Sequence, residues 1–138
     1  MRWIASLLLL MWFNCSTASC LVYGTTTLEG TLRQETFPGR PNFESIAGGD
    51  AAETRLFVIL DHYVCVSKGQ HDDEPFVERT LAFQLGNDSA LANDDGPLIT
   101  LSTYIGGRVT CTGRLYYQET AHDHSQVLLD TARCRSGL

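Results

Sequence analysis

The chain has 138 residues, of which 16 are Asp or Glu and 10 are Lys or Arg, so its net charge is −6 at neutral pH. An acidic chain lacks the positive surface that neutralises phosphate backbones, which argues against a nucleic-acid partner, and it gains no attraction from anionic lipid. The length is that of one small domain once a leader has been removed.

The start of the chain has the parts of a secretory signal peptide. One charged residue, Arg2, precedes the apolar run 3–13, and small residues follow up to Ala18. A membrane-spanning helix needs roughly 20 apolar residues, and this run is about half that length. We predict that 1–18 is a signal peptide cleaved after Ala18 and that 19–138 forms a single β-barrel-like domain.

The residues around this cleavage site also resemble a bacterial lipobox, Thr17-Ala18-Ser19-Cys20. A lipid on Cys20 would anchor the domain to a membrane, and it is the only membrane attachment that the sequence suggests. The predicted location is therefore periplasmic or secreted, with a lipoprotein anchor as the alternative.

Downstream of the signal, the sequence predicts strands and no long helix. Five segments are rich in β-branched and aromatic residues and end at turn-forming Gly, Pro, Asn or Asp residues. These predicted strands are 22–37, 55–66, 76–85, 107–117 and 126–134. A short helix is predicted at 97–105, between the third and the fourth strand. This order is that of an all-β, OB-like five-stranded barrel, and a β-sandwich of the same strands is the alternative.

Four cysteines remain after removal of the signal: Cys20, Cys65, Cys111 and Cys134. An even number in a small exported domain indicates disulfides, although free buried thiols or a metal site are alternatives. The last two predicted strands form a hairpin, and a turn centred on the 122–123 peptide bond places Cys111 opposite Cys134. By elimination Cys20 pairs with Cys65, which also argues against a lipid on Cys20.

The motif TFPGRPNFES at 36–45 is the most specific part of the sequence. Together with segments along most of 20–134, it closely resembles an uncharacterised family of exported bacterial domains of unknown function. Members are small exported proteins, some of them fused to domains like those of lysozyme-inhibitor lipoproteins. The family has no established activity, so the resemblance implies a bacterial periplasmic or surface setting and no particular chemistry.

The loop inside this motif is the first candidate site. A Pro-Gly segment on a rigid scaffold can present a recognition edge, because binding residues collect on such loops. Its candidate binding residues are Arg40, Asn42, Phe43, Glu44 and Ser45. The alternative is an Ω-like loop that closes one end of the barrel, with Phe37 and Phe43 in the core.

The second candidate site is the pair His122 and His124 at the predicted hairpin tip. Residues two apart on a strand point the same way, so both imidazoles are able to face one Zn or Cu ion, with Asp123 orienting a ligand. His62 or His71 is a third ligand if the fold brings it close. The alternative is a solvated turn without a cofactor.

The sequence has no G-x-S-x-G elbow, no H-E-x-x-H motif and no Gly-rich phosphate loop, so we predict a non-enzymatic module. The fusions in the resembling family favour a protein partner from the envelope or delivered into it, such as a cell-wall hydrolase or a toxin that the module restrains in an inhibitor or immunity-type role. The acidic charge is compatible with a basic partner. The alternative is a small-ligand or metal-binding module built on the His122/His124 hairpin.

Overall fold

The computed structural model of the protein describes residues 19–69, 73–87, 89–91 and 101–137. The predicted signal peptide 1–18 lies outside these residues. So do His71 and the first part of the predicted helix, 97–100.

The described residues form strands and one short 3₁₀ helix, Leu101–Tyr104. The strands are β1 Leu21–Val22, β2 Gly24–Pro38, β3 Ala52–Ser67, β4 Val77–Leu85, β5 Ala90–Leu91, β6 Arg108–Tyr117 and β7 Val127–Ser136. The predicted all-β, OB-like arrangement of five long strands, with one short helix between the third and the fourth, is confirmed. The two-residue strands β1 and β5 were not predicted, because two residues are too few to show an alternating pattern.

The five long strands pair in a closed ring. β2 lies antiparallel between β3 and β6, β6 pairs with β7, β7 pairs in parallel with β4, and β4 pairs with β3. Side chains from all five strands fill the core, including Leu32, Val58, Phe83, Val109 and Leu129. The sandwich alternative is wrong, because the strands form one continuous ring instead of two stacked sheets.

β2 changes neighbours near its middle, at Thr31. The residues before this point pair with β6, and the residues after it pair with β3. Gly30 stands at the change, where a Cβ atom would clash with the carbonyl oxygen of Ile59 on β3. Glycine is therefore needed here for the close approach of the two backbones.

Both disulfides join the pairs that the sequence predicts. Cys111 and Cys134 are register partners on β6 and β7 with their Cα atoms 4.0 Å apart, and Cys20 bonds Cys65 at a Cα separation of 4.7 Å. The predicted hairpin register holds on the cysteine side. It slips by one residue beyond Thr112, where Thr131 on β7 has a positive φ of 46° and forms a bulge.

Two disulfides indicate an oxidising compartment. In the described ranges no helix has the length and apolar character needed to cross a membrane.

Candidate functional site

The two candidate sites suggested by the sequence lie side by side. The ring of Phe43 in the motif loop meets His122 edge-on, with 5.0 Å between ring centroids, and Phe37 at the end of β2 stacks on His124 at 3.9 Å. We call the segments 39–50 and 118–126 together the loop–tip surface. Residues about 80 positions apart in the sequence thus form one surface.

Strand register brings the hairpin tip to this place. Gln84 on β4 is the register partner of Phe57 on one side and of Leu128 on the other. The start of β3 and the start of β7 therefore flank the end of β4. The first residues of β3 come next to the turn that precedes β7, and Glu53 is one of them.

Glu53 connects the two histidines. One carboxylate oxygen, Oε1, contacts Nδ1 of His122 at 2.5 Å and also contacts the guanidinium of Arg55, while Oε2 lies 3.1 Å from Nε2 of His124. A carboxylate only accepts hydrogen bonds, so both of these ring nitrogens carry a proton. The remaining nitrogens, Nε2 of His122 and Nδ1 of His124, point away from Glu53.

This cluster is largely removed from water. The side chains of Glu53, Arg55 and His124 are only 14–15% exposed. Burial acts to raise the pKa of Glu53, but hydrogen bonds from His124 and His122 and the charge of Arg55 outweigh it and hold this pKa below its ordinary value of 4.5. Glu53 is therefore an anion that its neighbours stabilise.

The sequence did not identify Glu53 or Arg55 as site residues. Glu53 lies 69 and 71 positions from the two histidines that it contacts, and Glu53 and Arg55 both stand near the start of a strand. No local pattern marks a charged residue at a strand end as buried, so only the ring of strands reveals the contact.

The backbone of the hairpin tip is held by a buried amide. Gln84 is 3% exposed; its Nε2 donates to the carbonyl oxygen of His122 at 3.0 Å, and its Oε1 accepts from the backbone N–H of His124 at 2.7 Å. Asp123 accepts from the N–H groups of Glu119 and Thr120, each at 2.8 Å. The carboxylate of Asp123 therefore stabilises the turn instead of orienting an imidazole.

A single carboxylate, Asp50, organises the motif loop. Its Oδ1 accepts from the backbone N–H and from Nδ2 of Asn42, and its Oδ2 accepts from the N–H groups of Glu44 and Ser45, at 2.8–3.2 Å. Two backbone hydrogen bonds of 2.7 Å close the loop: the N–H of Gly39 donates to the carbonyl oxygen of Ala51, and the N–H of Ala51 donates to the carbonyl oxygen of Arg40. The loop is therefore fixed by its own polar groups.

The side chains of the motif loop face outward. Arg40, Asn42, Glu44 and Ser45 are exposed, and Phe43 is half-buried against His122. Neither Phe37 nor Phe43 belongs to the buried core. The two rings therefore lie at the edge of the core, while the polar side chains of the loop are presented as a surface.

We expect the Asp50→Asn change to release this loop. The N–H groups of Ser45, Glu44 and Asn42 hold the pKa of Asp50 below its ordinary value of 3.8, so the carboxylate orders the loop above that pH and stops doing so as pH falls through its lowered value. An amide at this position would turn an N–H₂ group toward these donors. Amide hydrogen exchange of 42–45 should accelerate on the order of tenfold at neutral pH.

The matched control is Asp73→Asn, which alters an exposed carboxylate before β4. It should leave the exchange of 42–45 unchanged. Equal exchange in the Asp50→Asn variant and the wild-type chain would show that Asp50 does not order the loop.

A cleft of about 420 Å³ opens beside His122. Its lining includes Arg55, Asn87, Tyr116, Thr120 and Asp130. Burial, followed by the charges of Asp123, Asp130 and Glu119, raises the pKa of Tyr116 to about 12. The cleft is therefore lined by an uncharged phenol, by acidic side chains and by Arg55, and it extends the loop–tip surface inward.

The predicted metal site remains a prediction. Within 19–69, 73–87, 89–91 and 101–137, no three or more His, Cys, Asp or Glu side chains are arranged to hold a metal ion. His62 is nine residues along β3 from Glu53, up to about 30 Å away at the rise of a strand, and it lines a different groove. The structure therefore brings His122 and His124 together with a carboxylate but without His62.

Comparisons of the chain with protein-family models, with curated proteins and with solved structures found no match.

Proposed function

We propose that the chain is a non-enzymatic binding module of the periplasm or the cell exterior that recognises another protein through the loop–tip surface. The observation that carries this proposal is the loop itself. Asp50 holds it in one conformation while the side chains of Arg40 and Glu44 remain exposed to a partner. A preorganised loop loses little conformational entropy on binding, which favours affinity.

The surface has the composition of a recognition site. Arg40 and Glu44 offer opposite charges, Ile46 is 45% exposed, and the aromatic ring of Phe43 lies behind them against His122. An exposed apolar residue surrounded by polar groups is typical of a protein contact. The cleft beside His122 adds room for one inserted side chain.

The class of partner is inferred from charge and from the resemblance of the motif. The net charge of −6 favours a basic partner, because complementary charge speeds and orients association. The resembling bacterial family includes members fused to domains like those of lysozyme-inhibitor lipoproteins. We therefore infer an inhibitor or immunity-type role toward a cell-wall hydrolase or a delivered toxin.

The test is capture of a partner by the oxidised mature chain, immobilised and exposed to envelope extract of the producing organism. We expect Arg40→Ala/Glu44→Ala to weaken binding of the captured protein on the order of tenfold or more. The control Glu78→Ala/Arg135→Ala removes one acid and one base from exposed positions on β4 and β7 and should bind normally. Equal binding by both double variants would contradict the assignment of this surface.

A small-ligand or metal-binding module is the second candidate, and the cleft beside His122 favours it. The nitrogens that face away from Glu53 would be the ones to contact a metal. Calorimetric titration with zinc and with copper, on the wild-type chain and on His122→Ala/His124→Ala, decides this. Binding that the double variant abolishes supports a metal, and binding that it leaves intact removes these histidines from the role.

A further inference from the structure

A second surface lies on β3, away from the loop–tip surface. β2 pairs with β3 only as far as Ile59, and the register with β4 is interrupted between Ile59 and Val64. In the described part of the chain, the segment 60–63 therefore has no register partner on the β2 side, and on the β4 side it forms a bulge between two successive pairings. The side chains of Asp61, His62 and Tyr63 are exposed, and the guanidinium of Arg79 on β4 lies 3.8 Å from the centroid of the Tyr63 ring.

A groove of about 370 Å³ lies beside this segment. It opens because β2 turns away from β3 toward β6 at Gly30, so that the two strands diverge. Leu28 on β2 and Leu60 and Val64 on β3 form its apolar part. The groove therefore lies between β2 and β3 at the point where these two strands no longer pair, and we call it the wedge groove.

The chain itself already places a strand at the far end of the wedge groove. Leu21 and Val22 of β1 pair in parallel with Val66 and Ser67 of β3. Val66 also pairs with Val77 of β4, so β1 must use the opposite edge of β3, the edge that β2 has left. This edge thus accepts a parallel strand, and β1 fills only its last two positions.

Charged side chains cross the mouth of the groove without closing it. Arg108 donates to both carboxylate oxygens of Asp61 at 2.7 and 2.8 Å and to Glu29 at 3.1 Å. The three side chains are 39–66% exposed, and exposed ion pairs contribute little free energy. Two acids face one base, so the mouth favours a positive group.

We propose that the wedge groove binds a short extended segment of another protein by β-strand addition, in line with β1. Backbone hydrogen bonds to 60–63 would supply the affinity, and the groove would select the sequence. An apolar side chain of the segment fits against Leu60 and Val64, and a basic side chain fits beside Glu29 and Asp61. This site is separate from the loop–tip surface and does not depend on it.

The probe is a random heptapeptide library displayed on phage and selected on the oxidised mature chain. We expect enriched peptides in which apolar and polar residues alternate and at least one residue is basic. A synthetic copy of one should slow hydrogen exchange at the amides of 60–63 relative to the free chain. N-methylation of the peptide at alternate residues should weaken its binding about tenfold, because each methyl removes a backbone donor.

The protein-side variant is His62→Pro, with His62→Ala as its matched control. Proline removes one backbone N–H in the middle of the segment 60–63 and fixes its φ, so it should abolish peptide binding, while alanine keeps that N–H and should bind. If the proline variant does not fold, the N-methylated peptides decide alone.

Three results would overturn the proposal. The first is no enrichment, the second is protection at 39–50 instead of 60–63, and the third is binding that N-methylation does not affect. Protection of 60–63 that rises with protein concentration in the absence of peptide would identify a second copy of the chain as the occupant and would overturn it as well. If no partner binds through the loop–tip surface while the peptide still binds in the wedge groove, only the proposed function is rejected.

Discussion

Replacement of Cys111 and Cys134 by alanine is expected to lower the free energy of unfolding by about 3.5 kcal/mol from chain entropy alone. The disulfide closes a loop with a sequence separation of 23, and removing it enlarges the set of unfolded conformations. Both cysteines are also buried in the core, so alanine leaves unfilled space there. Urea denaturation of the oxidised chain at neutral pH measures the change.

Reduction of the wild-type chain is the matched comparison. A reductant should lower the urea midpoint of the wild-type chain more than that of Cys111→Ala/Cys134→Ala, which has only the Cys20–Cys65 disulfide left to lose. The intact mass of the mature chain should show two disulfides and no lipid on Cys20. A midpoint that the reductant leaves unchanged, or a mass with four free thiols, would contradict the pairing.

The Glu53→Gln variant is expected to lose about 3 kcal/mol of its free energy of unfolding at neutral pH. The change keeps the size of the side chain but leaves the guanidinium of Arg55, which is 15% exposed, without its anionic partner. It also replaces the one group that accepts from both His122 and His124. Urea denaturation and amide exchange of 118–126 should both report the loss.

The effect of Glu53 should depend on pH with a defined sign. Because the folded-state pKa lies below 4.5, the carboxylate stabilises the fold above that pH, and the stabilisation is lost as pH falls through the lowered value. The difference between the wild-type chain and Glu53→Gln should therefore shrink in acid. The control Glu78→Gln, on the exposed side of β4, should change stability by less than about 0.5 kcal/mol.

A Glu53→Gln variant as stable as the wild-type chain would show that the cluster contributes no net stability. If the Glu53→Gln variant is as stable as the wild-type chain but its amides at 118–126 exchange faster, Glu53 acts on the hairpin tip alone. Both results can be compared with the Asp50→Asn variant, since Asp50 and Glu53 support the two halves of the loop–tip surface.

The candidate site was predictable in part. The motif loop and the histidine pair stand out in the sequence by composition, and the structure places Phe43 against His122. The roles within the site were not predictable. Asp123 caps a turn, and Asp50 and Glu53 provide the organising carboxylates. A carboxylate acquires such a role from the donors that the fold brings to it.

The strands and the hairpin disulfide were readable from the sequence because they depend on neighbours along the chain. Alternating residues define each strand, and a short turn sets the register that joins Cys111 to Cys134. Even there the bulge at Thr131 shifts the far half of the hairpin by one residue. A bulge depends on the local backbone and leaves no clear trace in composition.

The tertiary structure alone decided the closure of the ring and everything that follows from it. Glu53 reaches the hairpin tip because Gln84 pairs with both Phe57 and Leu128, and the wedge groove exists because β2 pairs with β6 up to Thr31 and with β3 only from that residue onward. These pairings join strand edges that are far apart in the sequence. They are selected by packing of the whole core, whereas the local pattern specifies only that each strand exists and which face it buries.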